Sequence, residues 1–170
     1  MFVCPSSNDE KDTYGTVAGI SALSKLSFTA KKNLSYSLAN AYPPPDAVNN
    51  GYKLNATTGA EFAIAADINP GKQGNYDVTI PNESSSTKDQ QKSNSPNHQG
   101  QGQNVLYGDG HASFEQNAFC GQKRDNIYTI SGSLDGSNTT SKSEATKGAC
   151  APKWAGDSIL VPTANTTNWP

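Results

Sequence analysis

The sequence predicts a single α+β domain, mostly antiparallel β, and three observations carry that prediction. Asp109-Gly110 lies between two alternating runs and is the strongest hairpin signal in the chain. Leu34-Ser35-Tyr36-Ser37-Leu38 alternates strictly, which is the pattern of a half-buried strand. Helical spacing is confined to residues 17–26, where Val17, Ile20, Leu23 and Leu26 recur and Gly19 weakens the pattern. There is no repeat of fixed period and no boundary that leaves a core on each side, so residues 1–170 are read as one domain.

Taken in order, Cys4-Pro5-Ser6-Ser7 is a chain breaker ahead of a charged segment that ends at Asp12. The helical spacing of residues 17–26 follows. In the strand of residues 34–38, Leu34, Tyr36 and Leu38 are expected to face inward. Tyr42-Pro43-Pro44-Pro45 ends it and begins an extended surface crossing as far as Gly51, because proline fixes φ and donates no ladder hydrogen bond. Glu61-Phe62-Ala63-Ile64-Ala65-Ala66-Asp67 is the most apolar run and is predicted as the central strand, closed by a turn at Asn69-Pro70-Gly71. Residues 82–103 are almost wholly Ser, Asn, Gln, Lys and Gly, too polar to offset the entropy of ordering, and predict a long mobile loop. Ile127-Tyr128-Thr129-Ile130 and Ser158-Ile159-Leu160-Val161 are short runs able to join the sheet. A variable Ser, Thr and Gly-rich excursion over residues 131–150 separates them.

A two-residue type I′ turn at Asp109-Gly110 pairs Gly108 with His111, Tyr107 with Ala112 and Val105 with Phe114. Val105, Tyr107, Ala112 and Phe114 then share the core face, and Leu106, His111 and Ser113 the other. The glycine-rich residues 99–103 are expected to fold His98 back towards His111. His98, Asp109 and His111, with Asp67 adding oxygen, make a candidate site for a divalent metal, zinc or calcium, since neutral imidazoles beside a carboxylate suit zinc. The same residues also have a plainer explanation: His98 bonded to a turn carbonyl, Asp109 required by the turn, His111 solvated. Asp125, Asp135 and Asp157 offer further oxygen without the close spacing of a calcium loop.

The chain is read as a non-enzyme. Ser113 and His111 lie two residues apart on one strand, about 7 Å at Cα, too far for an easy hydrogen bond. No Gly-x-Ser-x-Gly elbow occurs, and Gly100-Gln101-Gly102 neither follows a strand nor opens a helix. A length of 170 residues suffices for one core, but 34% hydrophobic residues and a mean hydropathy of -0.66 make it thin. A net charge of -2 speaks against nucleic acid or anionic lipid as partner. No apolar run approaches the roughly 20 residues that span a bilayer, and nothing after Met1 has the build of a signal peptide. Three cysteines, Cys4, Cys120 and Cys150, allow one disulfide in any of three pairings, or three thiols. The lack of a Cys-x-x-Cys spacing speaks against a thiolate zinc site.

His98, Asn104-Val105-Leu106-Tyr107 and Asp109-Gly110-His111 also carry a resemblance. They resemble the motif of prepilin-type processing-associated proteins, a His followed after about nine or ten residues by Asp-Gly. Phe2-Val3-Cys4-Pro5-Ser6, Asn33-Leu34-Ser35-Tyr36-Ser37, Ala66-Asp67-Ile68-Asn69-Pro70-Gly71, Arg124-Asp125-Asn126-Ile127-Tyr128-Thr129 and Asp157-Ser158-Ile159-Leu160-Val161-Pro162-Thr163 are similar to the same family in the same order. The resemblance implies the globular head of a type II secretion pseudopilin or type IV pilin-like protein. The family's cleavage site and N-terminal helix are absent, the chain starting about where that helix would finish. It further implies a structural subunit in a homo-oligomeric filament assembled through the missing helix, working with the secretion machinery and not with nucleic acid. The location implied is periplasmic or at the cell surface, after anchoring of the full-length form in the inner membrane. Because Cys4 and Cys120 lie in family-like segments, the resemblance favours their pairing, a link of about 4 kcal/mol in the chain-entropy model. The alternative is a secreted binding module for carbohydrate or metal. Trp154 and Trp169 are its candidate platforms, although a core Trp and a tail residue are the plainer and stronger explanation.

Overall fold

The computed structural model describes residues 2–13, 28–55, 57–71, 85–130 and 152–162. The predicted helix of residues 17–26, the excursion of residues 131–150 with Cys150 and Asp135, and Trp169 lie outside them. The fold is mixed helix and strand, built on one open antiparallel sheet. Its strands are β1 (Tyr36–Ala39), β2 (Ala63–Asp67), β3 (Gln103–Tyr107), β4 (Ala112–Glu115) and β5 (Leu160–Val161), in the order β4-β3-β2-β1-β5. The apolar run thus supplies the central strand, as expected. Its alanines are small enough to let neighbours close in on both sides.

Side chains directly opposite one another on neighbouring strands share a face. Val105 pairs with Ala66 and Ala63 with Tyr107, and all four are buried. Below them Ala118, Ile127, Tyr128 and Leu160 complete the main core, while Ala47, Tyr52 and Phe62 form a second cluster. Residues 127–129 therefore add no strand to the sheet; they form a turn whose Ile127 and Tyr128 fill the space under it, and Ile130 makes a single bridge.

The hairpin differs from its prediction by one residue. Val105 lies opposite Ser113 and Leu106 opposite Ala112. The Tyr107 N–H donates to His111 O and the Gly110 N–H to Tyr107 O, both at 2.9 Å. Gly110 alone in the turn has positive φ, +89°. That is a three-residue connection, a type I turn closed by a left-handed glycine, and not the two-residue type I′ turn. Since the side-chain period is two, a one-residue slip turns the whole of β4 over. Ala112 and Phe114 are exposed, and Ser113 has the core side. A Cβ at Gly110 would meet nothing within 4 Å, so Gly110→Val is opposed by the backbone alone. It should lower the free energy of unfolding by about 1–2 kcal/mol, read as a fall in denaturation midpoint. An unchanged midpoint would rule the left-handed glycine out.

Strand β1 is also inverted. Ser35 and Ser37 are fully buried and Leu38 is exposed, against the expected Leu34, Tyr36 and Leu38 inward. The serines face in because each joins separate segments. Ser37 Oγ donates to Pro162 O at 2.6 Å and accepts from Asn69 N–H at 2.8 Å, while Ser35 Oγ donates to Asp9 Oδ2 at 2.5 Å. The triple proline is shorter-lived than predicted: Pro45 opens α1 (Pro45–Asn49), where its missing N–H is no loss, and Gly51 follows with φ +89°.

The long loop expected at residues 82–103 is replaced, from residue 85 onward, by α2 (Thr87–Gln90) and two 3-10 turns, Gln91–Ser93 and Asn97–Gly100. Side-chain hydrogen bonds stand in for apolar burial there. Buried Asn94 donates to Gly100 O and Gln116 O, and Ser93 Oγ to Gln90 O. No helix among the described residues is long and apolar enough to cross a membrane.

Candidate functional site

The four residues expected to gather beside the hairpin turn form two separate pairs. β3 lies between them, five residues or about 17 Å long. At the turn, His111 Nδ1 is 2.5 Å from Asp109 Oδ1, both side chains half-exposed, and the imidazole stacks on Tyr107 at 4.5 Å. The His111 N–H and then its ring hold the Asp109 carboxyl below its ordinary range. At the other end of β3, His98 Nε2 is 3.2 Å from Asp67 Oδ2. His98 cannot reach the turn because it precedes β3, and β2 runs antiparallel, which brings Asp67 at its end beside Asn104 at the start of β3.

This second end is the more built of the two. Cys4 Sγ lies 3.6 Å from His98 Nε2, and the ligand atoms of Cys4, Asp67 and His98 all fall within 4.8 Å of one another. Asp67 is fully buried and Cys4 nearly so. Asp67 projects from the sheet face opposite Ala66, where Asn104 N–H donates to its Oδ2 at 2.6 Å and Asn97 Nδ2 to its Oδ1 at 3.0 Å. The Asn104 amide nitrogen also sits 3.0 Å from His98 Nε2. The His98 ring is set from two sides: its backbone is left-handed, φ 53°, and Phe114 meets it edge-on at 5.5 Å. A left-handed residue other than glycine stores strain of about 1–3 kcal/mol, which the surrounding contacts hold in place. The segment carrying Cys4 is fixed by Ser35 N–H to Phe2 O at 2.9 Å and by Ser7 Oγ to Cys4 O at 2.9 Å. Burial, followed by the neighbouring Asp67 charge among the raising effects, pushes the Cys4 thiol above its ordinary range.

The disulfide between Cys4 and Cys120 is corrected: both are free thiols. Cys4 belongs to the face of the sheet that carries Asp67, whereas Cys120 packs against the core on the other face, so the sheet stands between them. Burial pushes the Cys120 thiol up to about 12, leaving it protonated and unreactive. The sequence reading missed Cys4, Asn97 and Asn104. It dismissed a thiolate ligand on local spacing, but Cys4, Asp67 and His98 come together only through the sheet. Each lies in a segment that carries the resemblance, the one signal in the sequence that groups them.

A hydrolytic triad is not formed by either set. Ser113 Oγ bonds Glu115 Oε1 and not His111. Cys4 and Asp67 both face the same ring nitrogen of His98, whereas a triad needs the nucleophile on one nitrogen and the orienting carboxylate on the other. Trp154 is buried, with Lys123 Nζ 5.1 Å over its ring, and is a core residue, not a sugar platform. Compared with known proteins, the chain matches no family model, no curated protein and no solved structure.

Proposed function

We propose that this domain is the head of a pseudopilin-like subunit, a structural component of a type II secretion or type IV pilus-like filament. The observation that supports it is an apolar row running from edge to edge of the sheet. Ala112, Leu106, Ala65, Leu38 and Val161 are each opposite the next, one per strand, on the face away from the core. Leu38 is 60% exposed and Leu106 36%. A contiguous apolar patch at the surface of a polar chain marks a binding face. An apolar helix laid on such a face would bury its own apolar side against these residues. In this reading the helix belongs to the full-length subunit, neighbouring subunits are the partners, and the work is done in the periplasm or at the cell surface after membrane anchoring, without catalysis.

In the native gene, a Gly-Phe-Thr-Leu-Ile-Glu site and an apolar helix should be encoded ahead of Met1; a signal peptide there, or a true start at Met1, defeats the reading. Leu38→Glu with Leu106→Glu in the full-length subunit should reduce sedimentable filament at least tenfold. The isolated domain should lose little stability, because exposed substitutions cost within about 0.5 kcal/mol each. Normal filament yield from the double variant would show that this face has no part in assembly.

A further inference from the structure

We propose that Cys4 Sγ, Asp67 Oδ2 and His98 Nε2 are the protein ligands of a single zinc-type cation, with the Asn104 amide at the fourth corner. The site goes beyond the filament reading and does not depend on it. Zinc bonds of about 2.3 Å to sulfur and about 2.0–2.1 Å to nitrogen and oxygen, set tetrahedrally, put sulfur about 3.5 Å from nitrogen and nitrogen about 3.3 Å from oxygen. The distances found are 3.6 Å and 3.2 Å. Asn104 Nδ2 lies 3.0 Å from His98 Nε2 and 3.2 Å from Asp67 Oδ2, two more edges of the same tetrahedron. Half a rotation of that amide exchanges its nitrogen for Oδ1, an oxygen donor.

The donor set selects the ion. A thiolate and an imidazole suit zinc and its neighbours, whereas calcium and magnesium take oxygen ligands. On binding, Cys4 gives up its proton to solvent and His98 coordinates in its neutral form. Thiolate and carboxylate then balance a divalent charge, and the buried site is neutral. The outer shell is present: Asn97 Nδ2 holds the free Asp67 oxygen and itself bridges to Ser35 O at 2.9 Å, and Phe114 fixes the ring of His98. Ligands from residues 4, 67 and 98 tie the Cys4 segment, β2 and the turn before β3 into one unit. A thin core gains most from such a staple.

The test is cobalt(II) titration of the metal-stripped, reduced protein, with zinc(II) as competitor. One equivalent should bind, with a thiolate-to-cobalt charge-transfer band and the visible bands of a tetrahedral ion, and zinc should displace it and raise the thermal midpoint. Cys4→Ser should abolish the charge-transfer band, and Cys4→Ser and His98→Ala should each weaken binding more than about a hundredfold, since an outer-shell partner alone is worth about 10–100-fold. His111→Ala should change neither. In a Cys120→Ser, Cys150→Ser background Cys4 is the only thiol, so the band must persist there even if Cys4→Ser fails to fold. Three results overturn the site: no binding at micromolar metal, loss of the band in the Cys4-only background, or binding that survives Cys4→Ser and His98→Ala but is lost with His111→Ala.

Discussion

Asn69→Leu should lower the free energy of unfolding by about 3–5 kcal/mol, the largest loss expected of any single substitution outside the hydrophobic core. Asn69 is 2% exposed and lies just beyond Ile68, after the end of β2. Its Nδ2 donates to Tyr128 O at 3.0 Å and Leu160 O at 2.8 Å, and its Oδ1 accepts Gly71 N–H at 2.8 Å. Its own N–H donates to Ser37 Oγ, so one side chain and one amide join β1, β2, β5 and the turn that carries Tyr128. Leucine is of similar size but leaves two buried carbonyls and one buried N–H without partners, each worth about 1–3 kcal/mol. Urea denaturation should show a lower midpoint with the slope unchanged. A loss below about 1 kcal/mol would mean that those groups find other partners, and that Asn69 is not the junction.

The second expected result has the opposite sign. Asp125→Asn should stabilise the protein at neutral and alkaline pH. Asp125 is 5% exposed; burial, and then the charge of buried Asp157, hold its carboxyl well above the ordinary range, against the pull of the Ser158 and Asn126 amides. Its Oδ2 accepts Ser158 N–H at 3.1 Å, and an Asn oxygen can accept the same bond. With the folded value raised above the unfolded one, about 3.9, the folded state keeps a proton that the unfolded chain has lost. The Asp125 contribution is therefore fully present below about pH 3.9 and is lost as pH rises through the raised folded value. Denaturation midpoints should show Asp125→Asn above the wild type at about pH 8, with the gap closing towards about pH 4. A variant less stable than wild type at both pH values would make Asp125 an ionised hydrogen-bond acceptor instead.

The candidate site shows where local reading stops. Asp67 and His98 are legible as ligand-type residues, yet His98 is grouped with Asp109 and His111 because these three lie near one hairpin in sequence, and Asp67 is added to them only as an oxygen donor. The antiparallel path of β2 beside β3 puts Asp67 at the end remote from the turn, and His98, arriving just before β3, must join it there. Cys4 has no sequence neighbour of its own chemistry, and bonds between its segment and the start of β1, Ser35 N–H to Phe2 O and Ser7 Oγ with Ser35 Oγ among them, bring it to that end.

By itself the sequence determined the class of fold, the central place of Ala63–Asp67, the position of the hairpin and the need for glycine at Gly110. Each of these rests on a pattern within a few residues: an apolar run, an alternation, a left-handed turn position. Tertiary structure alone decided which way the alternating strands face. Leu34-Ser35-Tyr36-Ser37-Leu38 reads equally well with either set inward, and the hydrogen bonds of Ser35 and Ser37 to distant segments put the serines in. Gly108-Asp109-Gly110 admits two turns that differ by one residue, and burial of Val105 and Tyr107 against Ala63, Ala66 and Ile127 fixes β3 without choosing between them. The choice falls to Asp109, which does not take the positive φ that a type I′ turn needs, so that Gly110 alone is left-handed, Ser113 lies opposite Val105 and Phe114 turns outward against His98. Strand periodicity repeats every two residues and is blind to a slip of one, so only contacts across the sheet could settle it.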